Sequence, residues 1–498
     1  MKPIQGSLSR LASIHPRHRF APPGARAGLL MALALLVINV SLTGCANRDA
    51  TPPPLPDLPA AWSNPSAAPS AALPAAPWWQ TFGNPRLDTL EEQALTSHPD
   101  IQAAKARLNQ AEIRARMAES PLFPTLALSG SDQVSGQGRS GKSVRASQAS
   151  LDASYELDYR GRNLSLIDKA QAESTASRMD REAVHWTLTA DLASAYLRLL
   201  TLDHRRELAR QSLEAAQRIL EFTAKQVAFG QTAPLDETRQ KQTVASIEAQ
   251  NAALDLQRAQ ARDALALLAN QPLSAIREIG GKLADWRIPE VPAGVPSDLL
   301  RRRPDIRRAE ADLVASQADL AATRAALFPS LELTGERGYA SKGLKELISP
   351  GNLLWKLGAS LTVTLFDRGK QRDAIAVAEE ARKAAVAAYQ KAILAALKDV
   401  EDNLAAIHWL AEQEKAQQLA EDAAREALRL AEVRHRAGAV DFMNVLDAQR
   451  SLLQIQDELP QTRQARLNAA IGLFKALGGP IPNASTVALP KGDPRYGG

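Results

Sequence analysis

At 498 residues the chain is long enough for two to four ordinary domains, yet aromatics are only 4% and alanine runs through its middle, which argues against an aromatic-rich globular core. The formal charge of +5 is supplied entirely by Lys2, Arg10, Arg17, Arg19 and Arg26, in a 44-residue stretch that contains no acid. The remainder is formally neutral, so the basic balance gives no support to a nucleic-acid partner.

Behind those basic residues, 29–40 form an apolar run too short to span a bilayer, followed by Leu42-Thr43-Gly44-Cys45. This reads as a secretory leader, residues 1–44, cut before the only cysteine of the chain. The Leu-Thr-Gly-Cys run resembles the lipobox of bacterial lipoproteins, which implies diacylglycerol on the Cys45 thiol and an N-acyl chain on its amine. Ala46 rather than Asp follows it, which by analogy with lipoprotein sorting favours the outer membrane. A single thiol makes no intramolecular disulfide.

Residues 45–77, rich in Pro, Ala and Ser, are expected to be an extended tether. The ordered body starts at Trp78-Trp79-Gln80-Thr81-Phe82. Residues 98–130 and 303–335 then align without a gap: Pro99-Asp100-Ile101 matches Pro304-Asp305-Ile306, and Leu122-Phe123-Pro124 matches Leu327-Phe328-Pro329. Each copy opens with Pro at a first helical position and an acid in the first turn, and each ends its helix at Phe-Pro. The chain is therefore an internal duplication, 78–290 and 291–480, with an irregular tail at 481–498.

Within each copy a pair of strands follows the first helix, predicted at about 122–131 and 148–160, then 328–339 and 353–366. Ala149, Leu151, Ala153, Tyr155, Leu157 and Tyr159 alternate with Ser150, Asp152, Ser154, Glu156 and Asp158. Trp355, Leu357, Ala359, Leu361, Val363 and Leu365 alternate with Lys356, Gly358, Ser360, Thr362 and Thr364. One face is greasy and the other wet, as in a transmembrane barrel or a half-buried sheet. After the leader no apolar stretch is long enough for a membrane helix, so any crossing is by strands. Four strands cannot close a barrel and lipid forbids open edges, so several chains would have to pool theirs.

Long helices come next. Residues 163–202 lack Pro and Gly, as do 370–436 apart from the turn before them. Chain reversals are expected at Gly230 and Gly438, with returning helices over about 235–270 and 445–477.

Chemistry-bearing motifs are sparse. Gly136-Gln-Gly-Arg-Ser-Gly141-Lys142-Ser143 matches the P-loop spacing, but period-two alternation rather than a helix follows it, so a solvated hairpin loop is expected. The seven histidines show no metal-ligand spacing, no nucleophile has a supporting base, and no metal, cofactor or catalytic residue is expected. Arg301-Arg302-Arg303 reads as a solvated run. Asp399 and Asp402, at i and i+3, share a helix face, with Asp191 at the equivalent place in the first copy and Leu404 one turn on. On an exposed helix such acids usually pair with neighbours such as Lys398. In a symmetric tube they would form a ring of like charge that selects cations, and Asp399, Asp402, Leu404 and Asp191 are the candidate periplasmic gate.

Together, Cys45, Pro77-Trp78-Trp79 with Phe82, the paired Pro-Asp-Ile and Leu-Phe-Pro motifs, Leu365-Phe366-Asp367-Arg368-Gly369 and Val445-Leu446-Asp447-Ala448-Gln449-Arg450 resemble the TolC-type outer-membrane efflux channels, in their lipoprotein (NodT) branch. The resemblance implies a mainly α protein with a transmembrane β-barrel. It further implies a homotrimer with four strands per chain in one 12-stranded barrel, continued by a long periplasmic α-helical barrel. It implies docking to a periplasmic membrane-fusion adaptor and an inner-membrane pump, commonly of the resistance-nodulation-division type. The hairpin tips, expected near 201–204 and 406–410, would be the adaptor-facing end. The function expected is passive export of drugs or other toxic compounds. The alternative is a lipid-anchored periplasmic coiled-coil scaffold or adaptor whose strands pack within a soluble domain.

Overall fold

A computed structural model describes residues 56–64, 77–136, 143–276 and 281–478. The leader, Cys45, most of the tether, the tip of the Gly-rich loop and the tail lie outside the described residues. All described residues belong to one compact unit.

The first repeat opens on a capped helix. The Asn84 side chain accepts from the amides of Arg86 (3.0 Å) and Leu87 (3.1 Å) at the start of α1, Pro85–Ser97. This satisfies two donors the helix itself cannot. A buried stripe of Leu87, Leu90, Glu91 and Ala94 turns α1 onto the core. Helix α2, Pro99–Ala118, runs to a 3-10 turn, Ser120–Leu122, and into β1, Thr125–Gly136. Strand β2, Ser143–Glu156, returns antiparallel. After it comes α3, Arg162–Ala228, 67 residues without a break, and then α4, Pro234–Leu268. The second repeat retraces this path after a short α5, Leu299–Arg302. It comprises α6, Pro304–Ala325; β3, Ser330–Ser341; β4, Leu353–Thr362; α7, Lys370–Arg436, again 67 residues; and α8, Phe442–Leu477.

Local chemistry fixes where the long helices begin and end. Asp158 accepts from the amides of Arg162 (2.7 Å) and Leu164 (2.9 Å), and Asp367 from Gly369 (2.9 Å) and Gln371 (3.0 Å). In both copies a carboxylate therefore stands at the positive end of the helix dipole, with a left-handed glycine, Gly161 or Gly369, as the cap. At the other end, Gly230 and Gly438 take φ of 69° and 71°. Gly230 N bonds Val227 O and Gln231 N bonds Gln226 O; Gly438 N bonds His435 O and Ala439 N bonds Arg434 O, all at 2.9 Å. These are two copies of one Schellman ending.

The expected tips near 201–204 and 406–410 are corrected by this. Both stretches are interior helix, and the reversals occur only at the glycines. A 67-residue helix is about 100 Å long, so the sheet end and the turn end of α3 and α7 are separated by that length. The 36-residue α8 returns about half as far, to mid-height. There its Gly472 touches Asn403 of α7 so closely that a Cβ would lie 2.3 Å from Asn403 Oδ1.

The core lies at this mid-height. Trp78 stacks on Phe474 (5.5 Å), Phe82 tilts against Trp286 (5.3 Å), and Trp286 stacks on Tyr196 (5.9 Å). Around them pack Leu87, Leu192, Leu265, Ile306 and Ile393. Trp78, Trp79, Phe82, Tyr196, Trp286 and Phe474 thus gather where the short helices wrap the long ones.

Candidate functional site

The sheet has the order β1-β2-β3-β4, all antiparallel. Its strands are displaced by a few residues from expectation: β1 starts at Thr125 because Ser120-Pro121-Leu122 is spent on the 3-10 turn, and β4 stops at Thr362. Register puts Leu126, Leu128, Leu151, Tyr155, Leu333, Trp355, Leu357 and Leu361 on one face. Leu128 is 86% exposed, Leu357 82% and Trp355 71%. The opposite face is polar and bonded within itself. Ser129 donates to Asp152 (2.5 Å), Gln148 to Glu336 (2.5 Å) and Lys356 to Glu336 (3.1 Å). Among the described residues no helix covers either face, and β1 and β4 leave open edges. The oily side is not spent on the chain's own helices, and it needs an apolar medium.

At mid-height the expected acids fall into different settings. Arg303, only 8% exposed, donates to Asp399 (3.0 Å), to both oxygens of Asp305 (2.7 and 2.9 Å) and to the carbonyl of Ala476 (3.2 Å). It ties the start of α6 to α7 and to the end of α8, so the expectation of a solvated arginine run fails at this position. Arg302 pairs with Asp298 (3.3 Å). Asp402 is bonded by Lys398 one turn away, and Asp191 lies 4.0 Å from Lys475. Leu404 is 5% exposed inside the core and presents nothing to a lumen.

Two features were not read from the sequence. The tether is pinned rather than simply extended at 62–64. Ser63 N donates to Glu401 (2.6 Å), Asn64 donates to it through its side chain (3.1 Å), and Trp62 Nε1 donates to Gly294 O (2.9 Å). Burial works against the Glu401 carboxylate, yet these bonds hold its pKa below the ordinary value. Towards the turn end, the returning helices carry similar pairs, Asp236 with Arg239 at the start of α4 and Asp447 with Arg450 in the second and third turns of α8, each at 3.9 Å. The duplicated Leu-Asp-x-x-Arg spacing was the available signal. The tip of the P-loop-like stretch lies outside the described residues. Ser143 begins a strand, so no helix N-terminus follows it.

Comparison with known proteins decides what this architecture is. A family model described as outer membrane efflux protein matches residues 90–271 and 295–479. The chain belongs to the outer membrane efflux protein family. The two matched segments correspond to the two repeats. The pyoverdine export outer membrane protein OpmQ of Pseudomonas putida is 36% identical over 461 residues, spanning 90% of this chain and 97% of that one. The toluene efflux pump outer membrane protein TtgC of the same species is 30% identical over 459 residues, 90% and 95%. The open-state crystal structure of the Neisseria gonorrhoeae MtrE outer membrane channel superposes with a TM-score of 0.78 at 30% identity, covering 86% of this chain and 96% of that one. This efflux protein is an outer-membrane channel component: a small sheet for the membrane and a helical column below it. Among the described residues no helix is long and apolar enough to cross a membrane.

Proposed function

We propose that three copies of this chain pool their four strands into one closed 12-stranded barrel, with the greasy face toward lipid and the Ser/Asp/Glu/Lys face lining a water-filled lumen. What carries this reading is a sheet with one apolar face, one bonded polar face and two free edges, uncovered by the chain's own helices. Closure by neighbours satisfies the edge amides and carbonyls that hydrocarbon would leave unpaired. Each chain then adds α3 and α7, with α2 and α6 alongside, to a helical barrel about 100 Å long.

The conduit is passive: it lowers the barrier for solutes by providing a hydrated path, and the energy comes from an inner-membrane pump, of resistance-nodulation-division type, through a periplasmic adaptor seated at the Gly230 and Gly438 turns. Cys45 carries the diacylglycerol and N-acyl chains. Relatives named for pyoverdine and for toluene share the architecture, which agrees with a lumen that admits many compounds, drugs and toxic solutes among them. Closure is assigned to the turn end, at the Asp236–Arg239 and Asp447–Arg450 pairs. Asp402, Asp191 and the half-exposed Asp399 form an acidic band at mid-height that favours cations. Planar-bilayer conductance separates these roles: Asp447→Ala opens the channel, whereas Asp402→Ala with Asp191→Ala lowers cation selectivity. Equal conductance and selectivity in all of them removes both assignments.

A Cys45→Ser variant exported by a cleavable leader tests the conduit against the lipid-anchored scaffold. The channel still embeds in the outer membrane as a heat-dissociable trimer; a scaffold turns up in the soluble periplasm, which would refute the proposal.

A further inference from the structure

We infer that the lipid-facing side of the sheet holds a phosphate-bearing glycolipid of the outer leaflet, its phosphate on Arg337 and an acyl chain in the groove over Gly335. This rests on the membrane-barrel reading above. Register sets Leu128, Leu151, Arg337 and Trp355 in one row across the four strands, which places a guanidinium among the apolar side chains. Arg337 is exposed and, among the described residues, pairs with no carboxylate. Arg145 on the same face is bonded to Asp132, and Arg160 lies 3.7 Å over the Phe328 ring, so neither is free in this way.

A charge on the lipid face is costly at the bilayer midplane and nearly free at the interface. The helices leave from the Ser330 and Thr362 ends of β3 and β4, so the opposite ends face outward. Outward of Arg337, the next row holds Gly130, Ala149, Tyr339 and Leu353, and the row after it is polar, with Asp132, Ser147 and Ser341. Two residues of a strand tilted by about 40° rise roughly 5 Å, so Arg337 lies about one row inside the outer rim and its side chain reaches the headgroups. Trp355 and Tyr339 stand beside it where an aromatic girdle belongs.

Directly inward of Arg337 lies an open groove of about 320 Å³, walled by Leu126, Leu151, Ala153, Trp355 and Leu357 and floored by Gly335, with Glu336 and Lys356, which pair with each other, also bordering it. Apolar walls with one unpaired guanidinium at the outer end fit an acyl chain whose head carries a phosphate, which that fork binds through two parallel hydrogen bonds. The position in the outer leaflet selects the phosphorylated, acylated glucosamine of lipopolysaccharide over a phospholipid.

The test is native mass spectrometry of the full chain in detergent, titrated with phosphorylated lipid A, dephosphorylated lipid A and phosphatidylglycerol. Wild type retains phosphorylated lipid A in preference to the other two. Arg337→Gln weakens it about tenfold or more, and Gly335→Leu, which fills the groove, does the same. Asp152→Asn, on the opposite face and away from the groove, leaves it unchanged. Undiminished binding by Arg337→Gln overturns the site; equal binding of dephosphorylated lipid A overturns the phosphate contact; equal binding of phosphatidylglycerol overturns the glycolipid assignment. Bilayer conductance of the same samples separates the layers of argument. A wild type that forms no channel sinks the barrel reading, whereas channels that hold no lipid A sink this inference alone.

Discussion

Glu91 gives the sharpest prediction on stability. It lies on the buried stripe of α1 with no exposure, and neither carboxyl oxygen has a partner among the described residues. Burial, and secondarily the charge of Asp88, pushes its pKa from 4.5 up to about 9. The folded protein therefore keeps this proton through neutral pH while the unfolded chain loses it near 4.5. Between those values the folded state binds more protons, so stability falls as pH rises, by about 1.4 kcal/mol per pH unit from this group. From pH 5 to pH 8 that amounts to on the order of 4 kcal/mol, an upper figure because local relaxation and water entry lessen it. Glu91→Gln keeps the shape and removes the titration. Thermal melts of wild type and variant at pH 5, 6.5 and 8, at one scan rate because such assemblies melt irreversibly, isolate the difference. The gap between the two should move in favour of the variant by several degrees between pH 5 and pH 8. A gap that stays constant over that range would show that burial does not hold Glu91 neutral.

Three further substitutions follow from contacts that leave no room or no substitute. At Gly338 a Cβ would lie 2.2 Å from the carbonyl oxygen of Ala149 and 2.5 Å from Ser150 Cα, so Gly338→Ala parts β2 from β3 and abolishes the heat-resistant trimer on gels. Gly335→Ala, whose Cβ meets nothing nearer than 3.5 Å, assembles normally. Gly478 holds φ of 71° and its added Cβ would stand 2.8 Å from Arg302 O, so Gly478→Ala loses about 1–2 kcal/mol from the backbone conformation alone and melts several degrees lower. Arg303→Lys keeps the charge but not the fork that reaches Asp305, Asp399 and Ala476 together; about 1–2 kcal/mol is lost, and little further is lost when Asp399→Ala is added, as a double-mutant cycle would read.

Much of the architecture was legible because the chain punctuates itself. The alternation in β2 and β4, the Pro starts at 99 and 304, and the glycines at 230 and 438 each have a backbone reason to be where they are, and the second long helix runs over 370–436 as expected. The misplaced tips show the limit. Nothing between 163 and 229 can stop a helix, so ending one at 202 had no residue behind it. The site was less legible. Whether Arg303 is solvated depends on α7 and α8 arriving beside it, contacts 96 and 173 residues away in sequence. The clasp of Ser63 on Glu401 spans 338 residues. Local pattern carries information on helix starts and strand faces; it carries none on which distant side chain will meet a given charge.

The central claim is that chains share strands across their edges. It is tested most directly by disulfide scanning in the outer membrane of a Cys45→Ser background, with one cysteine placed along 126–131 of β1 and a second along 357–362 of β4. Pooling predicts that, at the matching register, oxidation links neighbouring subunits through β1 and β4 into dimers and a closed covalent trimer. If every pair yields only monomer, with the two edges never meeting in different chains, the strands are not shared and the conduit does not exist in the form described.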